Sequence, residues 1–203
     1  MYNIYEKKNI EVMLVKKIKY IVFIFIFFIL GILTANLFNK DDNKNYNLNC
    51  KYNNVNIFTS KTYNEKNFSL YLDNLKDISE DLVKNCNNIY FTNENLTEKF
   101  NLDIKTKVVA ISYGKDIYVN TDYYADDVLS HELFHVYDFS NNWISESSSF
   151  LDLYNKYNND YKVSPGNNEN EYEFFATCGE YYLSHSITEQ DLYNFYDSLN
   201  IQP

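Results

Sequence analysis

Residues 130–139 read Ser-His-Glu-Leu-Phe-His-Val-Tyr-Asp-Phe and contain two of the three histidines in the chain. His131 and His135 are four residues apart, just over one helical turn. If the stretch is helical, both imidazoles leave the same face and can converge on one ion. That geometry also needs a partner, because a helix presenting two ligands on one face has to be met there by a further ligand from another element.

Glu132 lies between the histidines. Neutral imidazole is a good zinc ligand, and a catalytic zinc has three protein ligands with one open position. The carboxylate beside the first histidine can reach a metal-bound water without joining the coordination sphere. Zinc lowers the pKa of such a water from 15.7 to about 7, and the carboxylate can accept its proton as it attacks a peptide carbonyl. The ordinary alternative for the same five residues is a solvent-facing pair of histidines on a surface helix.

Candidates for the third ligand are Asp138, Glu146, Glu169, Glu171, Glu173, Glu180 and His185. Asp138 is too near along the same helix to complete a tetrahedral set. It reads either as an acid hydrogen-bonded to a ligand or a neighbouring backbone group, or as a solvated acid at the helix end. His185, beside Ser186 near a helix end, reads as a capping or surface residue. A ligand from a separate helix is required.

The balance of 18 basic against 28 acidic residues gives a net charge of -10, which argues against a nucleic-acid partner. Gly 4 and Pro 2 are few for a chain built of many tight turns, while Tyr 21 and Phe 15 supply abundant core aromatics. Together with 203 residues this bounds the chain to one helix-rich α+β domain plus a tail.

The tail is N-terminal. Residues 20–38, Tyr20 to Phe38, carry no charge and are long enough to cross a bilayer as a helix. Lys7, Lys8, Lys16, Lys17 and Lys19 precede them and Asp41 and Asp42 follow, so the positive-inside rule keeps 1–19 in the cytoplasm and places the rest outside. The segment suits either an uncleaved anchor or a signal peptide cut after Ala35, with Met13 as an alternative start. Outside the cell, Cys50, Cys86 and Cys178 give no disulfide framework, and Cys178 reads as a small buried apolar residue.

Residues 39–60 are polar and Asn-rich and read as a spacer off the membrane, with the globular domain occupying 61–203. Phe68, Leu72, Leu75, Ile78 and Leu82 predict an amphipathic helix over 64–84. Asn-Ile-Tyr-Phe-Thr-Asn, Lys-Val-Val-Ala-Ile-Ser-Tyr and Lys-Asp-Ile-Tyr-Val-Asn read as strands, the last two joined through Gly114 in a hairpin. A helix capped at Thr121 or Asp122 is expected to run to about Phe139, with Asp126 and Asp127 in its early turns. Further helices are expected near 145–158, 169–184 and 187–199, the last opened by a capping signal at Thr188 to Gln190.

Two stretches carry a family resemblance. Asn-Glu-Tyr-Glu-Phe-Phe-Ala-Thr-Cys-Gly-Glu-Tyr-Tyr-Leu, residues 170–183, and Ser-His-Glu-Leu-Phe-His-Val-Tyr-Asp resemble the second and first motifs of the anthrax lethal factor type of zincin, a group that includes small secreted bacterial Pro-Pro endopeptidases. The likeness extends more loosely over residues 65–200. In that family the glutamate immediately before Phe-Phe-Ala supplies the third zinc ligand, and this carries over to Glu173. An apolar stripe of Phe174, Cys178 and Tyr181 places Glu173 at its border, where a partly buried carboxylate wants a cation. The resemblance departs at two positions. The family's oxyanion-stabilising tyrosine falls near Gly166, with Tyr161 the nearest substitute, and Thr177 stands where the family often has a glutamate.

The resemblance implies a zincin-like metallopeptidase domain of mainly helical α+β fold with a small sheet, holding Zn2+ through His131, His135 and Glu173, with Glu132 as general base. Its substrates would be extracellular or cell-surface proteins, cut at proline-containing sites, and the membrane would be reached through the N-terminal helix. The competing expectation is a tethered zincin-fold binding or adaptor module that is catalytically weak or inactive.

Overall fold

A computed structural model describes residues 45–103, 107–160 and 170–201 of the chain. Its sheet comprises β1 (Tyr46–Tyr52), β2 (Val55–Ser60), β3 (Asn88–Thr92), β4 (Ala110–Tyr113) and β5 (Asp116–Asn120), in the spatial order β1-β2-β3-β5-β4. β2, β3 and β5 run parallel, and each edge strand is antiparallel to its neighbour. Between them come α1 (Glu65–Asp77), α2 (Glu80–Val83) and α3 (Leu96–Lys99). α4 (Val128–Ser140), α5 (Ser148–Tyr157), α6 (Glu171–Leu183) and α7 (Gln190–Ser198) follow the last strand.

The two-residue period of the strands decides the sheet's two faces. Ile57, Ile89 and Ile117 lie in register across β2, β3 and β5 and are fully buried against the helices. One residue along, Phe58, Tyr90 and Tyr118 form an equivalent row on the opposite face, stacked at 4.9 and 4.6 Å between ring centroids. Leu96 of α3 and Phe100 just beyond it cover that row, so both faces of the sheet are apolar.

Several expectations need correction. The stretch read as a spacer carries β1 and β2, so the folded domain begins at Tyr46. β1 is an edge strand whose residues after Tyr46 stay largely exposed, with a bulge between Leu48 and Cys50. Pairing to β2, and not a buried face, holds it in place, and so its sequence shows no apolar alternation. The sheet is accordingly larger than a hairpin and one strand, while the described residues remain mainly helical, a mixed α+β fold of seven helices and a five-stranded sheet.

The site helix starts at Val128, several residues after Thr121. The Thr121 hydroxyl is engaged elsewhere, donating to Thr92 O at 3.0 Å and accepting from Asn64 N at 2.8 Å, and so ties the end of β5 to the neighbouring chain. Asp126 and Asp127 precede the helix and do not sit in its early turns. Likewise α7 begins without a side-chain cap at Glu189, despite the Thr188 to Gln190 signal.

The remaining elements follow the periodicities closely, with the predicted 64–84 helix divided into α1 and α2. The β4–β5 hairpin turns at Gly114, whose φ of 61° is in the left-handed region that glycine adopts freely. Cys86 and Cys178 are buried free thiols and Cys50 is exposed. Among the described residues no helix is long and apolar enough to cross a membrane; the basic tail and the Tyr20 to Phe38 span lie outside them.

Candidate metal centre

α4 and α6 pack against each other through their buried faces. Leu129, Leu133, Phe134 and Val136 of α4 are fully buried, as are Phe175, Ala176 and Cys178 of α6. The buried tyrosine of α6 is Tyr182; Tyr181, expected in the apolar stripe, is at the exposed border. Close approach depends on Gly179, since a Cβ there would lie 2.5 Å from the Phe134 ring. With no side chain in the way, the polar border of α6 comes level with the histidine face of α4.

At that border His131, His135 and Glu173 meet. His131 Nε2 is 3.1 Å from His135 Nε2 and 3.2 Å from Glu173 Oε2, and His135 Nε2 is 3.6 Å from Glu173 Oε1. Asn170 caps α6 by accepting from Glu173 N at 3.0 Å, which fixes the glutamate in the helix's first turn. Glu180, two turns further along α6, reaches the other side of the His131 ring and hydrogen-bonds to Nδ1. A carboxylate at Nδ1 holds a proton there, so a cation bound between the imidazoles and Glu173 would meet the Nε2 lone pair.

The electrostatics follow from this crowding. Burial favours neutral His131, but hydrogen bonds to Glu173 and Glu180 outweigh it, and its pKa is pushed up to about 10. Burial acts against the Glu173 carboxylate, yet hydrogen bonds from the two imidazoles bring its pKa down to about 2. For Glu180 burial prevails over the His131 hydrogen bond and the pKa is raised. Glu132, only 8% exposed, adds a further carboxylate next to His131. Three acids around two imidazoles form a cluster that seeks a cation.

The donor set fits zinc. Metal–ligand bonds of about 2.1 Å at tetrahedral angles place donor atoms roughly 3.4 Å apart, and the three separations here bracket that value, all within 4.8 Å. Two imidazole nitrogens facing each other at 3.1 Å cannot both carry a proton inward. One cation satisfies both lone pairs and the carboxylate together.

The other candidates are elsewhere. Asp138 is fully buried and accepts from Ser145 N at 2.8 Å and Ser145 Oγ at 2.5 Å, so it braces a neighbouring backbone segment and is not solvated. Glu146 is exposed and accepts a hydrogen bond from the Tyr172 hydroxyl. Glu171 stays in the first turn of α6 away from the trio, and Thr177 is buried. His185 is exposed at φ 54° just past α6, in a Schellman turn closed by His185 N to Tyr182 O and Ser186 N to Tyr181 O. Glu169, Gly166 and Tyr161 lie outside the described residues. The role of Glu180 was missed in sequence, although its seven-residue spacing from Glu173 places both on one helix face.

No family model matches the chain, and no curated relative does. Among solved structures, the Pro-Pro endopeptidase PPEP-2 from Paenibacillus alvei is similar, with a TM-score of 0.55 and 17% sequence identity over 70% of this chain and 96% of that one. The two chains share a fold.

Proposed function

We propose that the chain is a zinc-dependent endopeptidase acting outside the cell on protein substrates. The observation that carries this reading is the convergence of His131, His135 and Glu173 from two separate helices, with donor atoms within 4.8 Å. The fold shared with a Pro-Pro endopeptidase supports it and makes proline-containing sites the first to test.

His131, His135 and Glu173 would hold the ion, and Glu180 is a positioning residue that keeps His131 in the tautomer with Nε2 directed inward. Zinc bound there supplies Lewis acidity, polarising a peptide carbonyl and bringing the pKa of water toward about 7. Glu132 stands beside the ligand set in a mostly water-excluded position. Its carboxylate takes a proton from the attacking water and delivers it to the leaving amine as the peptide bond breaks. The uncharged span from Tyr20 to Phe38 would tether the domain outside the membrane, or release it after cleavage at Ala35.

The test is metal content and turnover on the purified full chain. It should carry close to one zinc per molecule and cleave members of a proline-containing peptide library. Glu132→Gln should keep the zinc while turnover falls on the order of a hundred- to ten-thousandfold. Zinc with cleavage indifferent to Glu132 would assign the fold to a binding module, and a chain that takes up no zinc would sink the proposal.

A further inference from the structure

Phe139 lies one turn beyond His135, so His131, His135 and Phe139 occupy successive turns on one face of α4. Tyr172 immediately precedes Glu173 on α6. Trp143 stands between them, its ring centroid 5.4 Å from Phe139 and 5.4 Å from Tyr172, both in edge-to-face contact. Phe139 and Trp143 are 41% and 43% exposed, so the two helices run from the metal-ligand cluster directly onto an open aromatic surface.

That surface is held in place by a buried charge. Trp143 adopts φ 58° and ψ 66°, left-handed backbone that a bulky residue rarely takes. Asp138 pins the turn: its backbone carbonyl accepts from Trp143 N at 2.9 Å, and its fully buried carboxylate accepts from Ser145 N and Oγ. A buried carboxylate and a strained turn thus combine to present the tryptophan to solvent. An open apolar patch of this kind marks an interaction site.

The edge of the patch indicates the ligand. Glu146 is exposed and accepts the Tyr172 hydroxyl, placing an anionic carboxylate beside the rings in a chain of net charge -10. Ring faces bordered by a carboxylate suit a cation with an apolar stem, whereas an aliphatic group would strip water from Glu146 without pairing it. We propose that Phe139, Trp143 and Tyr172, with Glu146, form a subsite for a lysine or arginine side chain of the polypeptide substrate, with Asp138 as its positioning residue. The proposal rests on the peptidase reading for the word substrate, though the binding it claims does not.

Trp143 is the only tryptophan in the chain, so its fluorescence reports on the patch alone. The full chain carrying Glu132→Gln, with chelator present, would be titrated with a capped alanine heptapeptide bearing one central lysine and with its norleucine counterpart, with excitation selective for tryptophan. The lysine peptide should shift the emission at about three- to tenfold lower concentration, the advantage shrinking with added salt. Glu146→Gln, which keeps an acceptor for Tyr172, should reduce the lysine peptide to the norleucine level, and Asp138→Asn should weaken both responses. Equal responses to the two peptides, no response, or an advantage that survives Glu146→Gln would each overturn the subsite. None of these readouts involves zinc or turnover, so a failed subsite beside Glu132-dependent cleavage leaves the peptidase standing, and binding without cleavage does the reverse.

Discussion

Gly179→Ala is a demanding test of how the site is assembled, because two effects of known sign oppose each other. On helix propensity alone, alanine in the middle of α6 should stabilise the protein by about 1 kcal/mol. The added Cβ, however, would lie 2.5 Å from two atoms of the Phe134 ring and 2.6 Å from a third. Carbon atoms pack comfortably at about 3.5–4.0 Å, so the helices must separate by roughly 1 Å. Phe134 cannot yield easily, since it is fully buried between Phe175 and Tyr196, each 6.0 Å away between ring centroids. Overpacking of this kind costs up to about 3 kcal/mol, leaving a net loss of about 2 kcal/mol. Glu173 rides on the same helix, and metal sites tolerate displacements of only about 0.2–0.5 Å. Zinc affinity should therefore fall at least about tenfold. Urea unfolding of the metal-free protein and competition against a chromogenic zinc chelator measure the two quantities. Adding Phe134→Leu should recover part of both losses through coupling of the contacting pair. If Gly179→Ala gains the full helix-propensity increment and binds zinc as before, the glycine does not set the helix separation and the reasoning fails.

Glu180→Gln should lower zinc affinity about ten- to a hundredfold with little change in global stability, read by the same chelator competition, because His131 loses the carboxylate that orients it. Removing zinc with a chelator should lower the urea midpoint; at a thousandfold excess of free ion over its dissociation constant the difference is about 4 kcal/mol, and Glu173→Ala should abolish it. Burial pushes the Cys86 thiol from its ordinary 9.0 up to about 12. Because the folded value exceeds the unfolded one, the stability this group contributes is complete below about pH 9. It is lost as pH rises through about 12, by about 1.4 kcal/mol per unit. Cys86→Ala should remove that share of the alkaline slope in urea midpoints. Gly114→Ala should cost about 1 kcal/mol from its left-handed φ of 61° alone, since its Cβ would meet Phe139 no closer than 3.9 Å.

What the sequence determined by itself was local. The four-residue spacing of His131 and His135, the short apolar runs in Asn88–Thr92 and Asp116–Asn120, and the stripe that buries Phe68 and Leu75 are each legible within one element, because spacing and apolar content along the chain are properties of the element alone. The glutamate before Phe-Phe-Ala could be singled out by resemblance. That Glu173 stands across from the histidine pair while Glu180 holds the far side of His131 was decided by the packing of α6 on α4. Both acids lie on one helix face, and one-dimensional spacing cannot distinguish them. Tertiary structure likewise decided that the polar 46–52 stretch is an edge strand, that Thr121 ties down a sheet end without starting a helix, and that Asp138 is buried beneath the Trp143 turn. In each case the energy that fixes the residue comes from a partner outside its own element, the next strand for 46–52, Thr92 and Asn64 for Thr121, and Ser145 for Asp138.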